Sequence, residues 1–289
     1  MAVVGDLVTD VLALASGPLW TDSDTPARIR LTGGGAGANT AAWLAELGAA
    51  VTFVCAVGDD DTGRARTSEL RSVDVAALTT AEPTGTVVVL VRPDGGRSML
   101  PDRGANDRLT AEHVTSALAA CTPAHVHVSG YTLLGAGSRA AGLAALAWAY
   151  ERGIECSASL ASAAPLVATG AAAVREWLTR TDVVLANHDE ALVVTGESDP
   201  SRAASSLAEG RFAAIVTLGS QGALWADRDG VVRRVAQPAA VVDTTGAGDA
   251  FTAGLLAAIL RKVSGAEALD AGSAAAARCV SHPGARPSR

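Results

Sequence analysis

The chain has 289 residues, 49% of them hydrophobic, enough apolar material for one large α/β domain. Aromatic residues make up 3% and the net charge is −7; basic clusters such as Arg64/Arg66 and Arg233/Arg234 are too short for a nucleic-acid stripe. No apolar run is long enough to cross a bilayer, the four cysteines form no CxxC pair and the first residues lack a basic leader, so we expect a cytoplasmic protein with reduced, buried thiols.

The apolar run from Val3 to Val8 predicts a buried first strand ending near Asp10. Residues 16–32 carry Gly17, Pro18, Pro26 and several acids, which predicts a loop closed by a short strand around 28–31. A glycine-rich run, Gly33 to Gly37, leads through Asn39 into a helix over 40–47 that Gly48 stops. A strand over 51–57 and a helix over 59–71 follow. Segments 86–91 and 97–100, joined around Asp94-Gly95-Gly96, predict a hairpin. With the 28–31 strand it makes a small lid sheet outside the main layer, drawn from about 12–32 and 84–102. From Thr110 onward helices (110–120, 137–152, 170–180, 189–195) and apolar strands (125–128, 154–157, 182–185, 213–218) alternate. That rhythm implies a parallel sheet covered on both faces. A hairpin, 222–225 with 231–235, then a β-like run to Val242, a helix over 250–260 and a last helix over 266–280 complete a single domain, 1–289.

The chemistry concentrates in Asp243-Thr244-Thr245-Gly246-Ala247-Gly248-Asp249, between a β-like run and an apolar helix. Gly246, Ala247 and Gly248 let backbone N–H groups reach a ligand, and a helix N-terminus favours an anion. Asp249 stands beside that notch as a base. An anion cradle next to a carboxylate suits phosphoryl transfer to a hydroxyl; a plain capped helix start is the competing reading. GxxxxGK[ST] is excluded because the only lysine is Lys262, preceded by Arg261. Gly33, Gly35 and Ala38 fit a dinucleotide fingerprint, but too far downstream of the first strand.

Other candidates each carry two readings. Asn187 and Glu190, at a strand end, can organise hydrated Mg²⁺ or form a helix cap. Thr217, Gly219 and Gly222 can follow a nucleotide or make a tight turn. Asp10 can hold substrate hydroxyls or cap a loop. Arg103, beside Asn106, can pair with a substrate anion or with neighbouring acids. No Cys/His spacing fits zinc.

Together these residues resemble the ribokinase-like (PfkB) carbohydrate and nucleoside kinases. The matching stretches are Gly34 through Asn39 and Ala41 to Gly48 and Gly58, and Asp243 to Asp249 with Gly254. Asn187…Glu190 and Thr217-Leu218-Gly219 fit in the same order. The resemblance implies a doubly wound parallel sheet flanked by helices, with a small β-sheet lid. It implies ATP-dependent phosphorylation of a hydroxymethyl group, with Asp249 as base and Gly246, Ala247 and Gly248 as anion hole. Asp10, Gly34, Gly35 and Asn39 would hold the substrate. Asn187 and Glu190 would organise Mg²⁺, and Thr217, Gly219, Gly222 and Gly248 would lie along the nucleotide. Asp243 and Thr245, with the Ser281–Ala285 end, would form a monovalent-cation (K⁺) site. The lid edge would allow a homodimer.

Three positions depart from the ribokinase pattern. Ala36 stands where a lysine is usual, Val8 where an asparagine is usual, and Ser129-Gly130-Tyr131 where a ribose-contacting glutamate is usual. The resemblance therefore does not carry ribose over. The alternatives are a nucleoside kinase stacking a base on Tyr131 or Trp20, a non-catalytic nucleotide-binding relative, and a dehydrogenase.

Overall fold

In a computed structural model, residues 1–92 and 96–288 are described; Asp94 and Gly95 of the expected hairpin turn lie outside them. β1 (Ala2–Val4) is three residues long. It ends at Gly5, where a Cβ would sit 2.6 Å from the Cα of Gly37. The chain turns at Asp6 and Leu7 and enters β2 (Val8–Ala15), which belongs to another sheet. The single strand expected over Val3–Val8 is therefore two, and Asp10 lies within β2 rather than at the end of the first strand. An apolar run cannot announce a change of sheet. Buried Asn106 makes this corner: it donates to the Leu7 carbonyl and accepts from the Leu7 N–H, each at 3.0 Å.

β3 (Ala27–Gly34) leads into α1 (Ala36–Glu46), followed by β4 (Thr52–Gly58), α2 (Asp61–Ser68) and β5 (Asp74–Thr80). β6 (Gly85–Val91) and β7 (Arg97–Asp102) come next, then α3 (Ala111–Cys121), β8 (His125–Val128), α4 (Gly130–Leu134), α5 (Arg139–Glu151) and β9 (Glu155–Ser159). The later half adds α6 (Ala163–Thr169), α7 (Ala171–Trp177), β10 (Val183–Asn187), α8 (His188–Thr195), α9 (Pro200–Ala208) and β11 (Ala213–Thr217). It ends with β12 (Ala223–Asp227), β13 (Gly230–Arg234), α10 (Ala247–Leu260) and α11 (Gly265–Val280). The β-like run expected to reach Val242 stops at Arg234. Val235, Val241 and Val242 are exposed, so their apolar character reflects no pairing.

Among the described residues the main sheet has nine strands in the order β13-β12-β11-β10-β9-β8-β1-β4-β5. The seven neighbours β11-β10-β9-β8-β1-β4-β5 run parallel, and β12–β13 is an antiparallel extension. From β1 the chain first moves to β4 and β5, then returns to β8 on the other side. The fold is thus doubly wound, with its switch point between β1 and β8, where open α/β sheets place ligands. Alternate residues of the strands feed two cores. Val4, Val54 and Val216 face one, Val3, Phe53 and Ile215 the other.

The second sheet has the order β3-β2-β6-β7. β2 pairs with β6 in parallel, Asp10 opposite Val87, and with β3 in antiparallel, Asp10 opposite Thr32. It stands beyond the C-terminal ends of β1 and β8.

Candidate active site

α10 begins at Gly246, whose φ of 77° is left-handed. A Cβ there would lie 2.6 Å from Ala285, so both conformation and space demand glycine. The N-cap residue brings no side chain to the first turn; the Ala247 N–H bonds the Thr244 carbonyl at 3.3 Å, which leaves the Gly248 N–H for a ligand. A Cβ at Gly248 would meet nothing within 4 Å: the turn opens onto free space. Asp249 is in that first turn. Its Oδ2 accepts from Asn39 Nδ2 at 2.8 Å. Burial pushes its carboxyl up to about 7, Asp6 and Asp10 add to the rise, and the Asn39 bond opposes it.

A cavity of about 380 Å³ joins this notch to the switch point. Asp249, Gly246 and Gly248 line it beside Asn187, Glu190 and Thr217 at one end and Asp10, Gly35 and Asn39 at the other. Sequence-distant residues meet here because β1, β8, β10 and β11 all end at this rim.

At the Asp10 end of the cavity, burial lifts Asp10 to about 6, with Asp6 adding and Arg286 and Arg66 opposing. Gly34 is glycine because a Cβ would lie 2.3 Å from the Asp10 carboxylate. Gly35 is glycine because its φ is 98° and the Asp6 carbonyl would lie 2.3 Å away. Arg103 lines the cavity while its Nε donates to Asp107 at 2.6 Å and its Nη2 to Ser138 at 3.1 Å.

At the other end, Asn187 and Glu190 form a reciprocal cap on α8: Asn187 Oδ1 accepts the Glu190 N–H at 2.9 Å, and Glu190 accepts the Asn187 N–H at 2.9 Å. Asn187 Nδ2 also donates to Glu190 Oε1 at 2.7 Å. Burial raises Glu190 to about 6. The two residues that cap α8 are thus the same two that stand at the cavity rim. Thr217 lines the cavity and Gly219, with φ 58°, is exposed just beyond it. Gly222 does not reach the cleft. It is buried with φ 98°, and a Cβ would lie 1.9 Å from the Arg234 carbonyl; that glycine serves the hairpin.

Asp243 and Thr245 are also differently engaged. Arg97 of β7 donates from Nη2 to Asp243 Oδ1 at 3.0 Å and from Nη1 to Thr245 Oγ1 at 2.8 Å. Asp243 takes further bonds from Thr245 N–H at 2.9 Å and Gly284 N–H at 3.1 Å, and its carboxyl lies below the usual range; these bonds outweigh burial, which acts to raise it. A guanidinium thus sits on the pair assigned above to a monovalent cation. Trp20 is exposed and away from the cavity, whereas Tyr131 lines it.

Sequence reasoning missed Asp6. Its carboxylate accepts from the N–H groups of Ala36 (3.1 Å) and Gly37 (3.3 Å) and from Ser129 Oγ (3.1 Å). It caps α1 from another element. The Gly5-Asp6 pair breaking an apolar run was the available signal. Arg97 and Arg286 left no signal, since only tertiary structure brings them in.

The family model of the pfkB family carbohydrate kinases matches residues 1–289. The chain belongs to that family. It is an ATP-dependent sugar kinase. A mouse ribokinase is 30% identical over 268 residues, covering 88% of this chain and 80% of the relative. A fructokinase from Salmonella typhimurium is 32% identical over 273 residues, covering 89% and 83%. The solved adenosine kinase of Sinorhizobium meliloti superposes with a TM-score of 0.88 at 28% identity, covering 99% of this chain and 95% of that one. A putative ribokinase II from E. coli, solved with ATP and Mg²⁺, shares the fold with a TM-score of 0.85 at 23% identity, covering 98% and 93%.

Proposed function

We propose that this kinase phosphorylates a hydroxymethyl group of a sugar or sugar derivative, with Asp249 as the general base. The observation that carries the reading is one carboxylate, aimed by Asn39, beside an uncapped helix N-terminus in a shared cavity. Asp10, the Gly34-Gly35 turn, Asn39 and Arg103 hold substrate hydroxyls at one end. ATP with Mg²⁺ supplies the transferable phosphoryl group and offsets its charge. Asn187 and Glu190 would hold the metal through water, and Thr217 and Gly219 would flank the nucleotide. The open space at Gly248 fits an anionic group. Asp249 takes the proton from the attacking hydroxyl, and the N–H groups of Gly246, Ala247 and Gly248 donate to the oxygens of the moving group on which charge develops. An elevated carboxyl suits this role because it is a stronger base than an ordinary aspartate yet ionised above neutrality.

In this reading the second sheet is the lid. Its cleft side presents Val87, Val89, Met99 and Pro101 to the cavity. Its outer side exposes Ile29, Leu31 and Leu100, a surface that suits a second copy of the chain. ATP dependence fits a cytoplasmic location.

The test is a coupled ADP-release assay over sugars, sugar acids and nucleosides, with and without K⁺. One class should turn over, and Asp249→Asn should abolish it. Undiminished turnover would remove Asp249 from the role of base. A K⁺ requirement in the unaltered protein would restore the cation site at Asp243 and Thr245. A nucleoside is the second reading, favoured by the apolar lid residues and Tyr131 around the substrate end. Calorimetric binding of adenosine with none for free sugars would select it.

A further inference from the structure

The end of the chain runs through the catalytic region. The Ala285 carbonyl accepts from Trp43 Nε1 at 2.9 Å, and the backbone of Ala285 fills the space beside Gly246. Arg286 then turns inward, its side chain only 14% exposed. Its guanidinium reaches three acceptors on three segments. Nη1 donates to Glu69 at 3.0 Å, Nη2 to the Gly34 carbonyl at 3.0 Å, and Nε to Asn39 Oδ1 at 3.3 Å.

Guanidinium only donates, so the end of the Asn39 amide that faces it must be the oxygen. The nitrogen then faces Asp249, where it donates at 2.8 Å. An amide left without that tie can present either end to the carboxylate, and its oxygen would repel the ionised form. Glu69 anchors the guanidinium and is itself shared with Arg66 at 3.0 Å. A purely structural tail clamp would need the Glu69 pair alone. The Asn39 and Gly34 bonds go further, to the base and to the turn beside Asp10.

We propose that Arg286 is a positioning residue for the catalytic base: by holding the Asn39 carbonyl it aims the Asn39 amide at Asp249. The proposal rests on the assignment of Asp249 as that base. Around Asp249 stand Asn39 from α1, Asp6 and Asp10 from the β1–β2 segment, Tyr131 from α4 and Cys279 from α11. Of these, only the Asn39 bond favours the ionised form. Losing its aim therefore moves the Asp249 carboxyl upward, the same direction as burial.

The experiment compares Arg286→Met, Asn39→Ala and the double variant. Carboxyl ¹³C NMR titration follows Asp249, identified as the resonance missing in Asp249→Asn. Arg286→Met should raise the midpoint by roughly half a unit or more. It should lower kcat about 10- to 100-fold, shift the acid limb of kcat upward and leave KM for ATP nearly unchanged. In the Asn39→Ala background it should shift nothing further. An unshifted midpoint in Arg286→Met overturns the proposal. So does an equal shift in both backgrounds, which would mark a through-space field. If Arg286→Met fails to fold, Arg286→Lys takes its place. Lysine keeps the Glu69 pair but cannot span three acceptors, so a restored melting temperature with a raised midpoint supports the proposal and a normal midpoint overturns it. The titration needs no turnover. Failure of every substrate in the panel would sink the proposed substrate class and leave this test of Arg286 intact.

Discussion

The two ends of the cleft are built in opposite ways. At the phosphate end, one continuous stretch, Asp243 to Asp249, supplies turn, helix start and carboxylate. At the substrate end, β2 gives Asp10, α1 gives Asn39, the β1 exit gives Asp6 and the tail gives Arg286. The first arrangement is fixed by local backbone conformation, the second by packing between elements. A change at the phosphate end should therefore strike the chemical step. A change at Asp10 should strike recognition and leave ATP handling nearly intact, whereas Asn39 and Arg286 reach from that end to the base itself.

Asp249→Asn is the sharpest break, with an expected loss in kcat of about 10²- to 10⁴-fold. It carries an opposite consequence for stability. The folded carboxyl is raised from 3.8 to about 7. Its contribution to stability is complete below the unfolded value and is lost as pH rises through the folded value. At pH 8 the wild type therefore holds a buried charge that costs stability. The variant should melt higher than wild type at pH 8, with the gap shrinking as pH falls towards 4. A lower melting temperature at pH 8 would show that Asp249 is not desolvated. In the wild type, kcat should fall on acidification with a midpoint near 7, since a protonated carboxyl cannot accept the proton.

Gly246→Ala is the next largest effect. It combines a left-handed φ of 77° with a Cβ 2.6 Å from Ala285, strain of about 1–3 kcal/mol for the backbone alone. Its melting temperature should drop and kcat with it. Gly248→Ala is the contrast, because its Cβ enters open space. It should leave melting unchanged and raise KM for ATP. Equal melting losses in the two variants would refute the contrast between a packed Gly246 and a Gly248 open to the cavity.

These pairs also show what was legible in the sequence. Gly246-Ala247-Gly248-Asp249 announces a helix start with a base, since the turn and the carboxylate lie within four consecutive residues, whereas the partners that aim and pack it, Asn39 and Ala285, come from far along the chain. The alternation of helices and apolar strands gives the parallel sheet for the same reason. The break between β1 and β2 left only the Gly5-Asp6 pair as a signal, because the run is apolar on both sides of the corner and Asn106, which makes the corner, lies 99 residues away. β5 was missed because its residues are only partly buried and small. The arginines were illegible for a related reason. Nothing near Arg97 or Arg286 in sequence hints at the carboxylate or amide it meets across the cleft.

Asp10→Asn tests the substrate end. The carboxylate near 6 is half-protonated close to the working range, so hydrogen bonds to hydroxyls depend on its charge. KM for the sugar should rise roughly tenfold, the size of one lost charge-assisted bond of about 1.5 kcal/mol, while KM for ATP stays within a factor of two. A matching rise in both would mean that the ends are not independent.

Arg97→Ala is the smallest effect and joins the two ends. Arg97 belongs to the second sheet, yet its guanidinium lies on Asp243 and Thr245, just before the anion notch. The pair is only partly buried, with side-chain exposures of 31% and 15%, which limits its worth to about 0.5–1 kcal/mol. That predicts a two- to five-fold fall in kcat/KM, roughly the factor such an energy gives. Thr245 N–H and Oγ1 and Gly284 N–H still bond to Asp243 without Arg97, so the turn should hold its shape. What is lost is a cation beside a carboxylate. Added KCl should recover part of the activity and choline chloride should not, because only the small ion can enter beside Asp243. Activity unchanged by the substitution would mean that the sheet and the notch act separately. Equal recovery by both salts would reduce the Arg97 contact to general screening.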